Sequence, residues 1–104
     1  MIVEERIYTA HVGRAKEWLD YYGEAGFPVQ QRHLGRCIGF FTTEIGPLNQ
    51  IIHMWGYEDL VDRAKRRAEL MADPGFQAFG AKIQPLILTM ENKILIPTAF
   101  SPIR

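Results

Sequence analysis

Three features of this 104-residue chain predict an α+β fold of the ferredoxin-like kind, a βαββαβ sandwich with a four-stranded antiparallel sheet and helices on one face. The first is the order of its periodic segments, β-α-β-β-α-(α)-β. The second is the turn signal Gly46-Pro47 between two β-rich runs, which marks a central hairpin. The third is that both runs of that hairpin are apolar on both faces, a pattern that requires cover on both sides of the sheet. The length fits one domain over residues 1–104, with one core.

The first run, Ile2-Val3-Glu4-Glu5-Arg6-Ile7-Tyr8-Thr9, is rich in β-branched and aromatic residues and reads as strand one. His11, Val12 and Gly13 turn the chain out of it. From Arg14 to Glu24, Ala15, Trp18, Leu19 and Tyr22 recur at helical spacing, with Gly26 as a stop and Pro28 barring continuation. The polar stretch 28–35 reads as a connection. Arg36 to Glu44 is strand two, with Ile38 and Phe40 opposed to Cys37 and Phe41. Asn49 to Tyr57 is strand three. Glu58 to Met71 is a helix opened by two acids, with Leu60, Ala64, Ala68 and Met71 as its buried stripe. Its basic residues Arg63, Lys65, Arg66 and Arg67 are flanked by acids and read as a solvated face. Asp73-Pro74 is an N-cap followed by proline at the first helical position, opening a short helix that Pro85 ends. Leu86 to Glu91 is strand four, and residues 93–104 form a C-terminal tail.

Charge and composition exclude several classes. Twelve Lys+Arg balance twelve Asp+Glu, so neither nucleic acid nor an anionic membrane is an expected partner. A hydrophobic share of 47% excludes intrinsic disorder. The single cysteine, Cys37, forbids an intrachain disulfide, and no secretory signal or membrane-length apolar run is visible. The chain is expected in the cytoplasm. Its three histidines share no metal-type spacing, so neither metal nor cofactor is expected.

Helices cover one face of the sheet. The second layer is then expected from another chain, as a two-fold homodimer packed sheet on sheet, with further assembly left open. The alternative is that the C-terminal tail folds over the open face. With Val3 and Ile7 turned to the helices, Glu4, Arg6 and Tyr8 share the other face with Asn49, His53, Trp55 and Tyr57. Apolar walls with one cation, one imidazole, a phenol and a carboxylate suit a small apolar or anionic molecule. There His53 would act as acid or base, Arg6 would hold a carboxylate or developing oxyanion, and Tyr8 and Trp55 would shape the pocket. The competing reading is that Arg6 pairs with Glu4 or a partner acid, and that Tyr8 and Trp55 pack the dimer core.

Arg6-Ile7-Tyr8-Thr9, followed by Gly13, resembles the opening strand and turn of NIPSNAP-domain proteins. Ile45-Gly46-Pro47-Leu48-Asn49-Gln50-Ile51-Ile52-His53-Met54-Trp55 resembles that family's most recognisable stretch, and Pro97 and Ser101-Pro102 also fit. The resemblance implies a dimeric α/β barrel, in agreement with the homodimer argued from the strand faces. The wider superfamily includes cofactor-free monooxygenases, lactone isomerases, haem-degrading proteins and stress-responsive proteins, which use the cavity between sheet and helices. Two functions follow: a cofactor-independent enzyme oxygenating or isomerising a small apolar or aromatic metabolite, or a non-catalytic ligand-binding or interaction module. A haem-binding variant stands as a third.

Overall fold

A computed structural model describes residues 1–104 in the expected element order. Strand β1 (Ile2–Ala10) is followed by helix α1 (Ala15–Tyr21), a π-helical turn (Tyr22–Gly26) and helix α2 (Phe27–Leu34). Then come the hairpin of β2 (Arg36–Thr42) and β3 (Gln50–Tyr57), helices α3 (Leu60–Ala72) and α4 (Pro74–Ile83), and β4 (Ile87–Leu95) after a 3-10 turn. The four strands are ordered β2-β3-β1-β4, each pair antiparallel. That is the ferredoxin-like α+β arrangement anticipated above.

Four local expectations are corrected. Residues 27–34 are helix rather than connection. Pro28 lies in the first turn of α2, where its missing N–H has no intrahelical partner to lose. Gly26 does not stop the chain in a left-handed conformation, since its φ is −89°. Its missing side chain instead lets the Phe79 ring of α4 press against the backbone.

In α3 the buried face is rotated from the expected one. Leu60 is 59% exposed and Met71 49%, Ala64 and Ala68 lie outward, and Leu70 is fully buried. Arg63 and Arg67, at i and i+4, share the Leu70 side and turn toward the sheet. The basic run is therefore not a solvated face. The reason is electrostatic for Arg63: a buried carboxylate on β1, described below, draws its guanidinium inward. Asp59 caps this helix by accepting the Asp62 N–H at 2.7 Å. Asp73 caps α4 as expected, accepting from Gly75 and Phe76 at 2.8 and 3.3 Å. Asp73 also bonds His33 Nε2 at 2.9 Å, so His33 ties α2 to α4.

The third correction lies in β2. A bulge between Cys37 and Gly39 inserts one residue opposite β3, so Phe40 shares the helix side with Cys37 while Ile38 and Phe41 lie on the other. The fourth concerns β4, which continues through Leu95, so Lys93–Leu95 belong to the strand and not to the tail. The remaining tail crosses one end of the open face. There Ile96, Pro97 and Ile103 border a hollow with Val3, Ile38 and Met54. It leaves Phe41, 53% exposed, uncovered on that face.

Candidate functional site

The β1–β3 register sets Arg6 opposite His53 and Glu4 opposite Trp55. Alternation along each strand then gathers Glu4, Arg6, Tyr8, His53, Trp55 and Tyr57 on one face, as the sequence implied. The face is the helix-covered one. All six are buried, so the expectation that Val3 and Ile7 would face the helices is reversed. Polar side chains take the inner face because the helix layer supplies them with partners. Asn49 does not join them. It sits in the turn before β3 with φ 63°, a left-handed conformation that asparagine tolerates better than most residues. Its carbonyl accepts the Ala10 N–H at 2.9 Å.

Glu4 is the hub. Its Oε2 accepts from Arg6 at 2.9 Å, from Arg63 of α3 at 2.7 Å and from Asn92 of β4 at 2.8 Å. Arg6 donates its Nε proton to the Tyr8 hydroxyl at 2.9 Å. Burial alone would raise the Glu4 pKa; the Arg63 and Asn92 hydrogen bonds and the Arg6 and Arg63 charges overcome it and hold the carboxyl at about 2. The chain Asn92/Arg63–Glu4–Arg6–Tyr8 thus links two outer elements to the central strand.

His53 has a defined tautomer. Trp55 Nε1 can only donate, and it lies 2.8 Å from His53 Nδ1, so that nitrogen accepts and the neutral ring carries its proton on Nε2. The ring stacks on Phe40 at 4.7 Å and meets Tyr8 edge-on at 5.1 Å, with Tyr22 at 5.9 Å. Burial, then the Arg6 charge, pushes its pKa down to about 3. A ring so enclosed, with Nδ1 occupied and Nε2 without a partner, stays neutral and is not a base near neutral pH. Tyr57 is raised to about 12, first by burial and then by Glu4.

Beside this network a cleft of about 480 Å³ opens between β1, β4 and helices α3 and α4. Arg6, Tyr8, Gln30 and Arg67 line its polar end, while Phe76, Phe79, Ile83 and Met90 give it apolar walls. Of the expected site residues only Arg6 and Tyr8 reach it; His53 and Trp55 have no exposed surface. Burial, and next the Arg6 charge, lowers the Arg67 pKa, and no side chain hydrogen-bonds to it. Arg6 and Arg63 thus share one buried carboxylate, and Arg67 forms no ion pair. Reading along the chain missed Arg63, Arg67, Gln30 and Asn92. The spacing Arg63–Arg67–Leu70 was a usable signal for the first two; nothing local marks Gln30 or Asn92.

A four-stranded antiparallel sheet in the order β2-β3-β1-β4, with helices packed on one face, defines a ferredoxin-like α+β protein. Residues 3–102 match the NIPSNAP family model, and the chain belongs to that family. It is similar to NipSnap homolog 2 of Homo sapiens, 33% identical over 99% of this chain and 35% of that protein. The Danio rerio homolog 2 gives the same 33% identity and the same 35% share, so the chain spans about a third of the length of these relatives. A NIPSNAP family protein from Agrobacterium tumefaciens superposes with a TM-score of 0.97 at 51% identity, covering 99% of this chain and 98% of that one. A NIPSNAP-like domain protein from Burkholderia xenovorans gives 0.94 at 54% identity, with 97% and 88% covered. An antibiotic biosynthesis monooxygenase gives 0.66 at 12% identity over 94% and 99% of the two chains, a likeness of fold. No helix is long and apolar enough to cross a membrane.

Proposed function

We propose that this NIPSNAP domain binds a small, largely apolar or aromatic anion in the cleft between β1, β4 and the α3–α4 pair. The observation that carries this reading is Arg67, a guanidinium turned into an apolar cleft beside Arg6 with no carboxylate of its own. A half-buried cation without a partner has lost part of its hydration, and an anionic ligand relieves that loss. The groups around the cleft's polar end are chiefly donors: the two guanidiniums and the Tyr8 hydroxyl, whose oxygen already accepts from Arg6. Such an end recognises a carboxylate or enolate oxygen, while the walls of α4 and β4 take the apolar remainder.

Binding ranks ahead of turnover, because no group on the cleft is held as a base. Glu4 stays ionised and engaged by three donors, and His53 is a neutral ring outside the cleft. A cofactor-free oxygenation or isomerisation would therefore draw on Arg6 and Arg67 to hold a developing oxyanion. The non-catalytic module is favoured by the enclosure of His53 and Trp55. The homodimer belongs to the same proposal, since the open face still carries uncovered apolar side chains.

The test compares 3-phenylpropanoate with 3-phenylpropan-1-ol by calorimetry. The wild-type protein is expected to prefer the acid by about tenfold or more, as charged hydrogen bonds of about 1.5–3 kcal/mol imply. Arg67→Met should lose that preference while remaining folded. Equal affinity for acid and alcohol in the wild-type protein overturns the reading.

A further inference from the structure

A second unmet polar group lies at the wall of the cleft, opposite in character to the guanidiniums. Gln30 of α2 is 4% exposed, and its Oε1 has no hydrogen-bond partner although the side chain lines the cleft. A buried amide oxygen left unpaired costs about as much as a lost hydrogen bond. Two strong donors, Arg6 and Arg67, border the same cleft, yet neither reaches it. Four polar lining residues, Arg6, Tyr8, Gln30 and Arg67, come from β1, α2 and α3, and a fifth, the exposed Gln84, follows α4, whereas the apolar lining is concentrated on α4 and β4. Gln30 therefore belongs to the end that receives the ligand's polar head and not to the end that receives its hydrocarbon.

We infer that the ligand is a hydroxy acid: an apolar or aromatic skeleton with a carboxylate for Arg67 and Arg6 and a hydroxyl for the Gln30 amide. A hydroxyl both donates and accepts, so it satisfies either orientation of that amide. A bare carboxylate offers only acceptors and leaves Oε1 unpaired. A site that hydrogen-bonds a substrate hydroxyl discriminates strongly against the analogue lacking it, because the unpaired protein group stays buried. This assignment rests on the anion-binding reading above and adds Gln30 as the residue that sets specificity.

The experiment uses matched pairs of probes, 3-phenylpropanoate against 2-hydroxy-3-phenylpropanoate and octanoate against 3-hydroxyoctanoate, with the corresponding alcohols as controls. Affinities are measured by calorimetry on the full chain. The hydroxy member of at least one pair is expected to bind about tenfold or more tighter than its deoxy partner. Gln30→Met, close in shape but apolar, should erase that difference. Should that variant fail to fold, Gln30→Asn keeps the amide at shorter reach and should reduce the preference. A wild-type protein that prefers acids over alcohols but ignores the hydroxyl overturns the Gln30 assignment alone. A preference that persists in Gln30→Met overturns it as well. A protein that distinguishes neither acids from alcohols nor hydroxy from plain acids overturns both readings.

Discussion

A carboxylate with no exposed surface that accepts three hydrogen bonds on one oxygen ties its charge to folding. Glu4 has its ordinary value of 4.5 in the unfolded chain and about 2 in the folded one. Its contribution is complete above pH 4.5 and is lost as pH falls from there toward 2, on the order of 3 kcal/mol in all. His53 acts earlier on the same scale. Its unfolded value of 6.5 drops to about 3 on folding, so below pH 6.5 the unfolded chain takes up a proton that the folded one refuses. Stability should therefore fall in two stages, the first between pH 6.5 and 4.5. In urea titrations across that window, His53→Gln should flatten the first stage; an unchanged slope means that the ring is not held neutral. Glu4→Gln strands Arg6 and Arg63 without their acid and should cost about 3–5 kcal/mol at pH 7. That loss should shrink toward pH 2. The membership of Glu4, Arg6, Tyr8 and His53 in one cluster was legible from strand alternation alone. Which face they occupied was not, because a partner fifty-nine residues away, Arg63, decided it.

The elements follow from local rules wherever one residue decides the geometry. Asp73-Pro74 opens α4 as capping chemistry requires, and the hairpin of β2 and β3 forms around Gly46-Pro47. The rules fail where packing overrides them. Gly26 and Pro28 look like a helix end, but the chain passes through a π turn and resumes helix because α4 needs to lie against it. That contact depends on the Gly26 hydrogen: a methyl group there would overlap the Phe79 ring, which is itself 2% exposed. Gly26→Ala should therefore destabilise the fold by about 1–3 kcal/mol, the usual cost of overpacking, despite alanine's better helix propensity. Chemical denaturation reads this directly, and a neutral or stabilising result means that α1 and α2 do not pack on α4 as described. The bulge in β2 teaches the same lesson. No local signal reveals which residue is skipped, yet that residue decides that Phe40, not Phe41, stacks on His53.

At the scale of the whole molecule the sheet remains half a sandwich. The chain measures 40 × 35 × 19 Å with a radius of gyration of 14.0 Å, flatter than the roughly 13 Å of a compact domain this long. Its 20 buried residues lie almost entirely between sheet and helices, which leaves little core for the other side. The tail closes one end of the open face, over Val3 and Met54, so the intrachain alternative is realised only in part. Beyond the tail, Ile7, Ile52 and Phe41 still present apolar surface, and a second copy offers a matching face under two-fold symmetry. Ile52 is the residue to test, because it faces away from the helices between His53 and Ile51, which are fully buried in the monomer's own core. Ile52→Glu adds a charge to the open face without touching the cleft. Native mass spectrometry of the wild-type chain should give twice 12.0 kDa, or 24.0 kDa, and the variant should give the single-chain mass with its helical signal intact. A wild-type monomer would mean that this face meets water or a different partner. A variant that still dimerises would move the contact to another surface. Loss of the dimer with retained preference for acids over alcohols would separate assembly from the cleft, as expected of a site whose lining residues all come from one chain.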